Sequence, residues 1–282
     1  MRFAPAKTSG KPLAIIWVHG WGVNFYYPSY VRVCRSLAER GYACISVNTR
    51  MHDLGTIAGW QGDKRIRGGG YWGLYGEQDR DIAAWIKFAN DRGFSEIVLA
   101  GHSAGSTAVR AYLVGKQDRR VVGMVYASGA IQPVHHSIDP DLLAQAKQLV
   151  AAGRGEDLLR FPNRPTPSFV SAATYLDLAE KPPDKDFFGV EKPNPGVARI
   201  RCPILAFYGT KEPDIGKPAD LELLKTCVKR LPSGPARIDT AVIENASHMY
   251  DGQEAQVAEV IAKWADTLVR PGAGKGDAQD KQ

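Results

Sequence analysis

Apolar residues fall along this chain in two alternating rhythms. Leu13–Val18, Ala43–Val47, Val121–Ala127 and Ile238–Ile243, with residues 97–100 and 203–208, are short and nearly unbroken apolar runs. Runs of that length suit strands covered on both faces, as in a parallel sheet. Between them the spacing changes to that of a helix. Tyr30, Val33, Cys34, Leu37 and Ala38 repeat at i, i+3, i+4, i+7 and i+8, and Gly41 stands where a helix stop is expected. Ile82, Trp85, Ile86 and Ala89 form a second stripe; Val257, Val260, Ile261, Trp264 and Leu268 form the last. These stripes read as core packing.

Strands that alternate with helices make right-handed βαβ crossovers. The expected fold class is therefore α/β. A mostly parallel sheet of about six strands carries helices on both faces, giving three layers. Residues 1–130 and 202–270 make the core. Residues 131–201 break the alternation. They are Pro-rich, with Pro162, Pro165, Pro167, Pro182, Pro183, Pro193 and Pro195. This stretch is expected to be an inserted lid over the C-terminal sheet edge, since long insertions there usually shape a pocket. The Gly-, Lys- and Asp-rich tail, 271–282, is expected to be disordered.

Composition narrows the function classes. With 44% hydrophobic and 23% charged residues, the 282-residue chain can bury a full core without a metal or disulfide staple. The net charge of +6 is spread along the chain. Lys64, Arg65 and Arg67 form a local basic cluster with no nucleic-acid module beside it, so nucleic acid is not an expected partner. The cluster reads as a solvated basic loop; the second reading has Arg65 or Arg67 meeting an anionic substrate. None of the four cysteines lies in a C-x-x-C pair; Cys34 and Cys44 read as small core residues. Residues 1–11 have no apolar leader stretch, and the run Leu13–Val18 is too short to span a bilayer. A soluble, cytoplasmic protein is expected, with no membrane partner, metal or cofactor.

The chemistry concentrates where strands end. Gly101-His102-Ser103-Ala104-Gly105 is a G-x-S-x-G placed directly after a strand and directly before a helix. Such a turn strains the serine backbone and projects Oγ above the sheet edge. Glycines on either side remove side chains that would collide. Acyl transfer also needs donors aimed at an oxyanion. The N–H of Ala104, after the nucleophile, is one candidate. The other is that of Trp21, in His19-Gly20-Trp21-Gly22 after the first strong strand. His248 follows the last strand and is the best-placed base; His19 reads as a brace for its loop. An acid that orients the imidazole is expected after the fifth strand. Glu212 and Asp214 both stand there, and the residues alone leave the choice open.

Residues 15–22, the elbow at 101–105, residues 204–209 and Ala246-Ser247-His248 resemble the landmark motifs of the α/β-hydrolase superfamily. Residues 85–102 and Gly68-Gly69-Gly70-Tyr71 are similar to a subgroup of small bacterial and fungal serine esterases. The resemblance implies Ser103 as nucleophile, His248 as base, and Trp21 and Ala104 as oxyanion donors. It places the acid three residues after Gly209, at Glu212, where the family more often has Asp. It also implies that the usual leading antiparallel hairpin is missing or reduced. The expected activity is hydrolysis of a carboxylic ester, lactone or thioester of a small molecule through an acyl-enzyme on Ser103. The rival readings are an acyltransferase or C–C hydrolase on the same triad, or a non-catalytic ligand-binding protein on the same fold. Eight aromatic residues, Tyr71, Trp72, Tyr75, Phe161, Phe169, Tyr175, Phe187 and Phe188, are candidates for an aromatic pocket or for lid core. Substrate-binding residues, substrate identity and oligomeric state stay open at this level.

Overall fold

A computed structural model describes residues 1–4, 13–133, 138–161, 168–213 and 215–268. The main sheet has seven strands. Six are those read from the apolar runs: β2 (Leu13–Val18), β3 (Ala43–Val47), β6 (Glu96–His102), β7 (Val121–Ala127), β10 (Ile204–Gly209) and β11 (Ile238–Ile243). The seventh is β1 (Arg2–Phe3), which pairs antiparallel with β3 at the sheet edge. Among the described residues, this short strand stands where the leading hairpin is expected. The order is β1-β3-β2-β6-β7-β10-β11, and all pairs after β1 are parallel.

Successive strand side chains point to opposite faces, and β2 shows the consequence. Leu13, Ile15 and Trp17 join one buried cluster with α1 (Pro28–Glu39) and α7 (Glu254–Asp266). Ala14, Ile16 and Val18 join the other, with α2 (Gln78–Asn90), α3 (Ala104–Lys116) and α6 (Pro218–Lys229). Both faces are covered, which is why the strands read as unbroken apolar runs. Because β2, β6, β7, β10 and β11 run in parallel, the loops that follow them emerge along one edge. In open α/β sheets ligands bind at that edge.

Cys34 on α1 and Cys44 on β3 are fully buried, as expected of core residues, but they are also joined by a disulfide. Their spacing in the sequence carries no sign of the pairing. It arises because α1 turns back at Gly41 and lies along β3, bringing the Cα atoms to 5.2 Å. Cys202 and Cys227 are free thiols.

The basic cluster that read as a loop is a hairpin. Strands β4 (Thr56–Gln61) and β5 (Lys64–Gly68) pair antiparallel around Gly62-Asp63, with Gly62 at φ +58°. A two-residue Gly-Asp turn is a hairpin signal, so this element is legible in the sequence.

Residues 131–201 divide into two parts. Helix α4 (Pro140–Ala151), strands β8 (Leu158–Arg160) and β9 (Phe169–Ser171), and α5 (Ala172–Glu180) share a small core of Ala146, Leu159, Val170, Ala172 and Tyr175. By contrast Phe187, Phe188, Val197 and Ile200 belong to the main core, and Phe188 packs edge-on against Tyr126 at 5.1 Å. The expected tail, 271–282, lies outside the described residues.

Candidate active site

Ser103 follows β6 and caps the start of α3 with φ +52° and ψ −122°. A non-glycine residue rarely adopts such a backbone, and doing so costs on the order of 1–3 kcal/mol. The surroundings hold it there. The Ser103 N–H donates to the Ala127 carbonyl at 2.9 Å, and the Ser106 hydroxyl donates to the Gly101 carbonyl at 2.6 Å. Gly105 admits no side chain, because a Cβ would collide with the carbonyl oxygens of His19 and Val18. The start of α3 therefore presses against the end of β2, and Ser103 has no room to relax.

That same contact sets the loop after β2 beside the serine. A Cβ on Gly20 would lie 3.2 Å from the Ser103 Cβ. His19 is buried, and its two rings nitrogens have different partners. A carbonyl can only accept, so Nδ1–H donates to Gly20 O at 2.7 Å, while Nε2 accepts from the Thr49 N–H at 3.1 Å. Burial lowers the pKa of this ring and keeps it neutral. His19 thus braces the loop that carries Trp21. The Trp21 ring is partly exposed and leans toward Tyr71, with centroids 6.4 Å apart. Ala104 opens α3, where the first amides have no acceptor within the helix.

His248 stands in the loop after β11. Its Nδ1 lies 2.9 and 3.0 Å from the two oxygens of Glu212, whose side chain is 1% exposed. The loops bearing them are sewn together. Lys211 N–H donates to Ala246 O at 2.9 Å, and Asn245 N–H donates to the Thr210 hydroxyl at 2.8 Å. Gly209 makes this approach possible, since any Cβ there would strike the Ala246 carbonyl. Of the two acids left open by the sequence, Glu212 lies at the imidazole. Asp214 lies outside the described residues.

One residue in the elbow does more than its sequence suggested. His102 is fully buried between the three loops. Its Nε2 meets the His248 carbonyl at 2.8 Å, so Nε2 carries the proton. Its Nδ1 then accepts from the Tyr30 hydroxyl at 2.7 Å, and that hydroxyl accepts from the Gly20 N–H at 3.1 Å. Burial, helped by the nearby His248, pushes the His102 pKa down to about 3. A neutral ring is required, because only the neutral form both donates and accepts. No local motif signals this, since Tyr30 and His248 are distant from His102 along the chain.

The other histidines and the aromatic residues are dispersed. His52 pairs with Asp53 at 2.8 Å. His135 and His136 lie outside the described residues. The eight aromatic residues do not converge on one pocket. Tyr71 meets Trp72 and Phe169, Phe161 meets Tyr175 in the small core, and Phe187 and Phe188 are in the main core.

Comparison with known proteins agrees with this architecture. The solved structures it resembles include Est1E from Butyrivibrio proteoclasticus with ferulic acid bound, at 16% identity and TM-score 0.63, over 95% of this chain and 94% of that one. A soluble variant of monoglyceride lipase from Saccharomyces cerevisiae, in complex with a substrate analogue, is similar at 15% identity and TM-score 0.62, over 96% and 91%. The monoacylglycerol lipase of Paleococcus ferrophilus gives 17% and 0.58, over 95% and 98%. A search of curated proteins found no match. The model of the alpha/beta hydrolase family matches residues 15–261, from within the first long strand into the last helix, and the chain belongs to that family.

Proposed function

We propose that this protein is a serine hydrolase that cleaves a carboxylic ester of a small molecule through an acyl-enzyme on Ser103. The observation that carries the reading is the His248–Glu212 pair, held on the same sheet edge as the strained Ser103. A carboxylate on Nδ1–H leaves Nε2 as the free, basic nitrogen. His248 takes the Ser103 hydroxyl proton while Oγ bonds to the substrate carbonyl carbon. The negative charge moves to the carbonyl oxygen, where the N–H groups of Ala104 and Trp21 receive it. The C–O bond to the alcohol breaks, and His248 returns the proton to the leaving oxygen. Water, deprotonated by His248, then attacks the acyl carbon and releases the acid and the serine. The Glu212 carboxylate at Nδ1 stabilises the imidazolium.

The neighbours named for ester-cleaving proteins support ester hydrolysis over C–C cleavage. An acyltransferase would differ only in the acceptor. Residues 138–180, with their separate small core, are the part of the insertion best suited to act as a lid. Among the described residues no helix is long and apolar enough to cross a membrane. The Cys34–Cys44 disulfide fits an oxidising compartment better than the cytoplasm expected from the sequence.

A fluorophosphonate probe tests the reading directly. It should label one serine, mapped by peptide mass to Ser103. In Ser103→Ala labelling should vanish and kcat should fall on the order of 10⁶-fold, with the fold intact. Turnover within about tenfold of the parent in a folded Ser103→Ala protein would refute it.

A further inference from the structure

The hairpin β4–β5 stands beside the candidate site, and no step of the proposed reaction uses it. Its register puts Ile57 opposite Arg67 and Trp60 opposite Arg65. Cross-strand partners share a face. The Arg65 guanidinium lies over the Trp60 ring at 5.3 Å, and Arg67 lies over the Trp72 ring at 5.1 Å. Between this face and strand β8 opens a groove of about 800 Å³. Its wall carries Lys64, Arg65 and Arg67 against a single acid, Glu156. Arg67 Nε is 3.7 Å from Glu156, both half-exposed. Among the described residues, Lys64 and Arg65 have no carboxylate partner.

The groove is joined to the candidate site through aromatic residues. Trp72 Nε1–H donates to the Glu156 carbonyl at 2.9 Å, tying the floor of the groove to the insertion. Tyr71 packs edge-to-face on Trp72 at 5.8 Å and against Trp21 at 6.4 Å, and Trp21 is in the loop beside Ser103. An apolar path of ring contacts therefore leads from the Trp21 loop to a basic cluster in which three cations face one acid.

We infer that the groove binds an anionic group, a carboxylate or phosphate, at the far end of the ester substrate, with Arg65 and Arg67 as its recognition residues. Guanidinium groups suit both anions, since each presents a planar fork of donors. Stacking on Trp60 and Trp72 pre-orients the two forks and lowers the entropy lost on binding. The apolar path would carry the chain that separates the anion from the ester. The inference rests on the proposed esterase reading and narrows its substrate to amphiphilic, negatively charged esters.

Two matched pairs of esters test it and separate the two sides of the bond. Mono-4-nitrophenyl suberate against 4-nitrophenyl octanoate places the charge on the acyl side. A 1-acylglycerol phosphate against the same 1-acylglycerol places it on the alcohol side. In at least one pair the anionic member should have about tenfold higher kcat/KM at low ionic strength, as expected for a charge-assisted contact. That ratio should shrink in 0.5 M salt, as roughly expected for an exposed site with a Debye length below 10 Å. In the double variant Arg65→Gln/Arg67→Gln it should collapse to about 1. Equal or lower kcat/KM for the anionic member in both pairs overturns the inference, as does a ratio that survives the double substitution. Should no ester be turned over and no serine be labelled, the esterase reading has failed separately. Quenching of tryptophan fluorescence by hexyl phosphate, against hexanol, then decides the groove on its own. Saturable quenching by the phosphate alone, lost in the double variant, supports it; the same response to both compounds overturns it.

Discussion

The Nε2–H of His102 donates to the main-chain carbonyl of His248, 2.8 Å away, so the residue before the nucleophile holds the loop of the candidate base. Through Tyr30 the same ring reaches Gly20, in the loop of the candidate oxyanion donor. One neutral side chain thus sets the spacing of three loops that meet nowhere in the sequence. His102→Ala should lower kcat by about 10²-fold with little change in KM, since a misplacement of about 1 Å costs that much. His102→Gln can present an amide N–H near the Nε2 position and should recover part of the loss. Steady-state kinetics on one ester checks this; a loss expressed in KM alone, or equal in both variants, would argue against positioning.

Glu212 is the carboxylate at His248 Nδ1. Glu212→Gln keeps the volume but lets an amide stabilise the wrong imidazole tautomer, and kcat should fall by up to about 10⁴-fold. Asp214→Asn should cost less than about tenfold. Reversal of the two losses would transfer the acid role to Asp214.

Histidines held neutral make stability depend on pH. The folded-state pKa of His102 is pushed down to about 3, and that of His19 is also lowered. Between the ordinary value near 6.5 and that depressed value, the unfolded chain binds protons that the folded chain does not. Stability is therefore present in full above pH 6.5 and is lost as pH falls. The slope per histidine should approach about 1.4 kcal/mol per pH unit. Urea unfolding between pH 7 and pH 4.5 measures it, above the range where most carboxylates titrate. A His102→Gln variant should show a shallower slope; an identical slope would be inconsistent with a neutral buried ring.

Phe188 lies in the main core although the sequence places it within the insertion. Phe188→Ala should destabilise the whole protein by about 3–5 kcal/mol, the usual cost for a buried phenylalanine. Equivalent truncation of Leu159, in the small core of the insertion, should leave the main unfolding transition nearly unmoved. Denaturant midpoints compare them. A small effect at Phe188 would mean that residues 187–200 are peripheral.

Cys34 and Cys44 should be unavailable to thiol reagents in denatured, unreduced protein, leaving Cys202 and Cys227 as the reactive pair. Reduction should lower stability by about 2–3 kcal/mol, given the short loop that the bond closes. Four reactive thiols in protein purified under oxidising conditions would show that the bond does not persist.

How far the sequence led depends on the range of the interactions involved. Runs such as Leu13–Val18 and Val121–Ala127 announce their strands because both faces of a parallel sheet are buried, which leaves an uninterrupted apolar record. Ser103 was legible for a similar reason. Its strained turn needs Gly101 and Gly105 in the same five residues, so the constraint is written locally. His248 and Glu212 follow strands, and strand order places both on one edge. Yet the meeting of Glu212 with the imidazole depends on how the loop at Gly209 lies against Ala246, a contact between segments far apart in the chain. The Cys34–Cys44 bond, the core position of Phe188 and the His102 relay were decided in the same way. Each depends on which surfaces meet once helices and strands are packed. A one-dimensional pattern of apolar and polar positions records that a side chain is buried, but not what it is buried against.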